Sequence, residues 1–332
     1  MSSFFIDSVL IDPPLLSAPM AGFTNYAYRE ILRRFGGVGL IATEMISARS
    51  FVHKETKGED LPGRLWGIFE EPRPLAVQIW DNQPETLAHF GQILAREYKV
   101  SVVDLNFGCP APAIAKNSAS GSWLLKTPEK VGEIVAQVVK ACHPTPVTAK
   151  IRLGWTRDSI NAADVAQAVE SAGAAAITVH GRTAQDMYRG TADWDAIARI
   201  KPFLKKIPLI GNGDIRTVDQ ALQAFRRYPV DGIMIGRIGL EKPWIFRQIA
   251  QALAGRAVDP EPTLAEQKKL LWNHYQMVAA HFGEKKAVVL MRKFAPCYAK
   301  GIPGARQFRT AICQANSEQE FLRLLETLFP QE

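Results

Sequence analysis

Cys109 stands where an apolar run, Val102 to Phe107, breaks into Gly108-Cys109-Pro110. A thiol there can be a small buried hydrophobe, a metal ligand, a nucleophile or an acid. The four cysteines, Cys109, Cys142, Cys297 and Cys313, are widely spaced without a CxxC pair, and no His/Cys cluster has zinc spacing. Free thiols and no metal are therefore expected. A nucleophilic cysteine needs a pKa lowered by a histidine or a helix N-terminus. Pro110 and Pro112 break the chain just after the thiol, which argues against a helix dipole there. A thiol with an ordinary pKa of about 8.5 is protonated at neutral pH and can act as an acid. The residues lean toward acid over nucleophile.

Other residues able to do chemistry recur at the ends of apolar runs. These are Pro19-Met20-Ala21, Gln78, Asn106, Lys150, His180 with Arg182, Asn212-Gly213-Asp214, and Gly236-Arg237. The last two sets are glycine turns that expose backbone N–H groups, and Arg237 can add a charge-assisted contact, so together they read as a phosphate device. Taken singly, Lys150 could snorkel from a strand and His180 could be a satisfied core residue. With Gln78 and Asn106 they would put four polar side chains in one apolar pocket, which is costly unless something uses them. A phosphate-bearing, partly apolar cofactor such as flavin mononucleotide (FMN) would.

These residues need elements to carry them. Eight near-continuous apolar runs begin near residues 15, 39, 74, 101, 146, 175, 207 and 232, as expected of strands buried on both faces. Helical patterns lie between them. In 127–142, Val131, Ile134, Val135, Val138, Val139 and Cys142 share one face, with Thr127 as N-cap and Pro128 at the first turn. Capping boxes are expected at Thr217/Gln220, Thr263/Glu266 and Ser317/Glu320. The pattern predicts an α/β fold, a (β/α)8 TIM barrel, ahead of an open doubly wound sheet. Residues 255–262, GRAVDPEP, read as a linker and the remainder as helical. The expected regions are a catalytic barrel, 1–254, and a small all-helical domain, 255–332.

The chain has 332 residues, 47% hydrophobic and 22% charged, an ordinary soluble composition. No apolar run nears the roughly 18 residues that span a bilayer, and no signal peptide is expected at the N-terminus. A cytoplasmic protein is expected. The net charge of +7 is modest. Its distribution is more telling: Lys285, Lys286, Arg292, Lys293, Lys300, Arg306 and Arg309 follow one another without an acidic residue, interleaved with Phe294, Tyr298 and Phe308. A basic run is commonly a solvated helix face, but beside a catalytic domain it points to a phosphate backbone.

At this point the ordered motifs APMAGFTNYAYR, DLNFGCP, GSWLL, TAKIRLGW, TVHGRT, IGNGDI, IMIGR and YAKGIPGARQFR resemble the bacterial tRNA-dihydrouridine synthases over almost the whole chain. The resemblance implies an FMN enzyme that reduces the uridine C5=C6 bond in tRNA, in the D loop, with NADPH as electron donor. It implies Cys109 as proton donor. It implies Pro19, Met20, Ala21, Gln78, Lys150, His180, Asn212, Gly213, Asp214, Gly236 and Arg237 as cofactor-binding residues. Asn106 and Arg182 are expected near substrate, with a structural salt bridge as the alternative for Arg182. Lys285, Lys286, Arg292, Lys293, Lys300 and Arg306 are expected on RNA, and the chain as a monomer. Departures from the family pattern are Asn25, Trp80-Asp81, Trp123, Phe294 and Cys297. The rival readings are a flavin barrel acting on a small pyrimidine or enone, an rRNA-directed synthase, and a non-catalytic RNA-binding barrel.

Overall fold

A computed structural model describes residues 3–60 and 63–329. The termini of the two expected regions, 1–2 and 330–332, lie outside the described residues. Eight barrel strands follow in order: Leu15–Ser17, Ile41–Ala42 continued by Ile46–Ser47, Leu75–Trp80, Val102–Phe107, Val147–Arg152, Ala176–His180, Leu209–Asn212 and Gly232–Ile235. Neighbours are parallel throughout, strand 8 pairs with strand 1, and a parallel bridge between Leu16 and Leu40 closes the ring. The barrel is thus the architecture the apolar runs predicted. Each run is apolar almost throughout because helices cover one face and the barrel interior the other.

Two features differ from the sequence reading. The second strand is not continuous: it breaks at Thr43-Glu44-Met45, where Thr43 Oγ1 accepts the Gln78 N–H (3.2 Å). The N-terminus forms an unpredicted hairpin, Phe4–Ile6 with Val9–Ile11. Its Ile6 and Ile11 join Leu16, Leu40, Ala42, Ala76, Val102, Ala176, Ile210 and Met234 in a cluster that plugs the barrel from its N-terminal end. With that end closed, only the C-terminal ends of the strands are left to hold a site.

The helix Pro128–Cys142 buries Val131, Ile134, Val135, Val138 and Cys142, as the 3.6-residue pattern requires, while Val139 is only partly buried. Thr127 precedes it but makes no side-chain cap, so Pro128 sets the start. Thr263 and Glu266 form a full capping box. At Thr217 and Ser317 only the hydroxyl half forms; Gln220 and Glu320 accept instead from the N–H groups of Arg216 and Asn316. Residues 256–263 carry neither helix nor strand and separate Ile245–Leu253 from Leu264–Phe282. Three more helices follow, Glu284–Tyr298, Ala305–Ile312 and Glu318–Leu328. The core runs on into this helical region without a gap. Phe294 is fully buried, stacked on Tyr28 (6.2 Å) and edge-on to Phe23 (5.4 Å), both from the first βα unit.

Candidate active site

The C-terminal ends of the strands surround a cavity of about 640 Å³. Pro19, Met20, Ala21, Gln78, Asn106, Cys109, Lys150, His180, Asn212, Gly213, Asp214, Gly236, Arg237 and Lys300 all line it. Residues spread over nearly 300 positions meet because each closes a parallel strand or lies in the segment after it, apart from Lys300 from the helical region.

Cys109 is held through its backbone. Asn106 Oδ1 accepts from the N–H groups of Gly108 (3.0 Å) and Cys109 (2.9 Å). Arg152 Nε donates to the Gly108 carbonyl (2.9 Å), and Ser122 donates to the Cys109 carbonyl through both N–H and hydroxyl (3.0 Å each). Gly121, at φ +56°, lets that loop approach so closely that a Cβ would lie 2.7 Å from the Cys109 carbonyl oxygen. Burial raises the thiol pKa; the Ala111 N–H and the charges of Arg152 and Lys150 offset this only in part. The group is therefore a thiol at neutral pH, suited to giving a proton rather than attacking.

On the neighbouring strand, in register with Asn106, Lys150 Nζ donates to Asn212 Oδ1 (3.1 Å), and Asn212 Nδ2 is fixed on the Met234 carbonyl (2.8 Å). Burial and the nearby Arg152 draw the Lys150 pKa down to about 8, against the pull of Asp104 and Cys109. His180 is buried, and burial together with Lys150, Arg152, Arg182 and Arg237 holds its pKa well below the usual histidine value. The imidazole is neutral. Arg182 Nη1 lies 3.4 Å from its Nε2 and can only donate, so Nε2 accepts and the proton sits on Nδ1.

Several expected contacts are engaged otherwise. Arg182 does not line the cavity: it is buried, ion-paired to Asp214 (2.6 Å), and donates to the carbonyls of Arg189 and Gly190. The salt-bridge alternative is the one formed, because a buried guanidinium needs a carboxylate. Asp214 also accepts from Arg237 (2.9 Å) and the Ala192 N–H (2.8 Å), so it aims Arg237 at the cavity rather than offering a free carboxylate. Burial raises its pKa, but the hydrogen bonds from Arg182 and the Ala192 N–H, together with the charges of Arg182 and Arg237, hold it low. Asn106 spends its side chain on Gln78 and the Cys109 turn instead of reaching outward.

The six basic residues expected on RNA separate as well. Lys285 and Lys286 are exposed on the first turn of Glu284–Tyr298, with Lys286 over the Phe282 ring (4.1 Å); Arg306 is exposed too. Lys300 lines the cavity and pairs with Glu241 (2.6 Å). Lys293 turns inward, over Phe23 and Phe294 (5.5 Å to each centroid) and beside Gly22. Arg292 is the clear exception: it donates to the Ala315 carbonyl and Asn316 Oδ1, tying its helix to the turn between Ala305–Ile312 and Glu318–Leu328.

The dihydrouridine synthase family profile matches residues 16–332. The chain belongs to the dihydrouridine synthase family. It is 34% identical over 331 residues to a probable tRNA-dihydrouridine synthase of Mycobacterium tuberculosis, covering 97% of this chain and 84% of that one. It is 37% identical over 322 residues to tRNA-dihydrouridine synthase B of Xanthomonas campestris, covering 96% and 93%. Among solved structures, morphinone reductase in complex with tetrahydroNAD superposes with a TM-score of 0.54 at 13% identity, over 79% of this chain and 92% of that one, a likeness of fold alone.

Against the family pattern, Asn25 caps the first helix by accepting the Tyr28 N–H (3.0 Å), and Asp81 pairs with Arg49 (2.7 Å). Trp123 lies outside the cavity lining, edge-on to Trp155 (5.3 Å) with Lys126 over its ring (3.4 Å). Tyr188, to which sequence reasoning assigns no role, lines the cavity yet is 59% exposed, flanked by the guanidinium groups of Arg152 (5.7 Å) and Arg237 (5.2 Å). Its one signal was an aromatic side chain next to Met187 in a loop that follows a strand end. Met45 and Arg216 line the cavity too and carried no sequence signal.

Proposed function

We propose that this protein reduces the C5=C6 bond of a uridine in the tRNA D loop to 5,6-dihydrouridine, using FMN and NADPH, with Cys109 as the acid. The observation that carries the reading is a thiol fixed on a hydrogen-bonded turn in the same cavity as Lys150 and His180, where burial raises its pKa. The residues fit FMN. Pro19, Met20, Met234, Ile235 and Ile238 supply apolar wall, while Arg237, Gly213 and Gly236 lie at adjacent strand ends where a phosphate can be met by charge and backbone N–H groups. When bound there, FMN supplies the hydride for uracil C6.

The chain's own residues then have defined work. The Lys150 ammonium would hold a bound flavin and stabilise negative charge on it. The neutral His180 offers its Nδ1–H as a donor that makes no hydrogen bond to protein among the described residues. Cys109 gives its proton to C5 as negative charge develops over C5 and O4 of the uracil. Tyr188, at the lip, is placed to stack on a base drawn out of its helix, a step that costs a few kcal/mol and less in a loop.

The test is NADPH-dependent conversion of unmodified tRNA by FMN-loaded protein, read as dihydrouridine by mass spectrometry, together with mapping in cells lacking the gene. Free uridine turned over as fast as tRNA would overturn the RNA assignment. The exposed cations give a second check. Reversing Lys285, Lys286 and Arg306 to glutamate together lowers tRNA affinity by at least tenfold and flattens its salt dependence by about two units of slope, with flavin content unchanged. Arg292→Ala instead costs about 1–2 kcal/mol in urea unfolding, because the Ala315 carbonyl loses its charged donor, and leaves the salt slope alone.

A further inference from the structure

We propose that Asp104, deep in the barrel, is a positioning residue for Cys109: it sets the direction of a hydrogen-bond chain through Gln78 and Asn106 that ends on the backbone of the catalytic turn. The inference rests on the function proposed above. Gln78 Nε2 donates to Asp104 Oδ2 (2.7 Å), Asn106 Nδ2 donates to Gln78 Oε1 (2.8 Å), and Asn106 Oδ1 accepts from Gly108 and Cys109. Asp104, Gln78 and Asn106 are 4%, 1% and 8% exposed, so solvent does little to satisfy any member that turns over.

Direction is the point. An amide can be reversed end for end and keep its shape, so the direction of the chain is set at its two ends, by the donor-only N–H groups of the turn and by the Asp104 carboxylate. An ionised carboxylate only accepts. With Thr148 donating to Oδ1 (2.7 Å), Asp104 requires Gln78 to present its NH2 downward. The Gln78 oxygen then faces Asn106, which must turn its own oxygen to the two N–H groups. Reversing Asn106 would set its NH2 against those N–H groups and release the turn that carries the thiol. One carboxylate thereby orders groups on strands 3 and 4 in sequence.

The surroundings argue against a purely space-filling role. Beneath Asp104 lies an otherwise mostly apolar floor, with Leu16, Leu40, Ala76 and Ile210 around the neutral Ser17 and Thr178. A hydrophobe would fill the position at lower cost. Burial pushes the Asp104 pKa up to about 6, against the hydrogen bonds from Thr148 and Gln78; Lys150, on strand 5, is the charged group acting on it. Protonation turns an acceptor-only group into a donor and removes the direction, so the rate of uridine reduction falls as pH drops through about 6.

The experiment compares Asp104→Ala and Asp104→Asn in FMN-loaded protein. Three readouts are taken: single-turnover uridine reduction against pH, flavin reduction by NADPH, and alkylation of Cys109 by iodoacetamide followed by peptide mass spectrometry. Asp104→Ala is expected to slow uridine reduction roughly 10- to 100-fold and to change Cys109 alkylation, with flavin reduction within about twofold of wild type. Asp104→Asn recovers most of the rate, since its oxygen can accept from Gln78 while its NH2 donates to Thr148, and it lacks the acid limb near pH 6. An Asp104→Ala protein with wild-type rate and alkylation overturns the inference, as does equal loss of flavin reduction in both variants. If Asp104→Ala does not fold, an acid limb retained in Asp104→Asn overturns it alone. If the wild-type protein leaves tRNA unreduced, the proposed function fails, and the alkylation comparison still decides the positioning role.

Discussion

Cys109→Ala leaves a yellow protein that oxidises NADPH normally and reduces uridine 10²- to 10⁴-fold more slowly. The size follows from what the substitution removes. Without the thiol, negative charge developing on C5 and O4 has no positioned acid, and water must enter a turn closed by Asn106, Arg152 and Ser122. Little else changes. The turn is held by backbone contacts, so removing one sulfur leaves Gly108 to Pro110 in place. Cys109→Ser is expected to recover little, because a hydroxyl is a far weaker acid than a thiol. The pH dependence has a fixed sign. The reacting form is protonated and its pKa is raised by burial, so the proton-donating step persists through neutral pH and is lost as pH rises through the folded-state value. The same shift means that this group favours folding below its unfolded pKa and ceases to above the folded one. Single-turnover reduction of tRNA by pre-reduced protein measures the step; wild-type rate in Cys109→Ala would sink the acid assignment.

Lys150→Met lowers FMN affinity and the rate of uridine reduction by about 100-fold each, while raising the stability of the flavin-free protein by about 1–3 kcal/mol at pH 7. The opposed signs come from one cause. Burial draws the ammonium pKa from its ordinary value down to about 8, so at neutral pH the flavin-free fold carries a charge it would rather not hold. Between pH 8 and about 10.5 the unfolded chain binds more protons than the folded one, so wild-type stability rises with pH across that window. Methionine removes the charge at similar volume and removes the slope. The same ammonium balances an anionic ligand, so binding draws in a proton above pH 8 and weakens as pH rises. Equilibrium unfolding at pH 7 and pH 9.5, with flavin titration at both, checks this. A Lys150→Met protein with normal flavin content and rate would remove Lys150 from the cofactor site.

How much of this was legible beforehand varies by element. The eight barrel strands were, because parallel strands covered on both faces are apolar throughout, and the helix Pro128–Cys142 was, because one face repeats every 3.6 residues. The hairpin Phe4–Ile6 and Val9–Ile11 was not: strands of three residues hold too few positions for a pattern, and only the barrel they close gives them a reason to form. Cys109, Lys150 and His180 were legible as strand-end chemistry. Tyr188 was not, since its neighbours come from other units of the barrel, Arg152 from the end of strand 5 and Arg237 from just after strand 8.

The basic run 285–309 shows the limit most plainly. Counting charge placed Lys285, Lys286, Arg292, Lys293, Lys300 and Arg306 in one class. Packing divided them: Arg292 binds a carbonyl, Lys293 turns toward Gly22, and Lys300 meets Glu241 at the cavity rim. The residue types and their order determined the barrel and the family and singled out the strand-end thiol, because burial and local chemistry are written into composition and period. Only the tertiary structure decided which way each polar group points. Arg182 belongs to Asp214, Asn106 to the Cys109 turn and Gln78 to Asp104, because in a buried site a donor goes to whichever acceptor the fold brings within 3 Å, and sequence distance carries no trace of that.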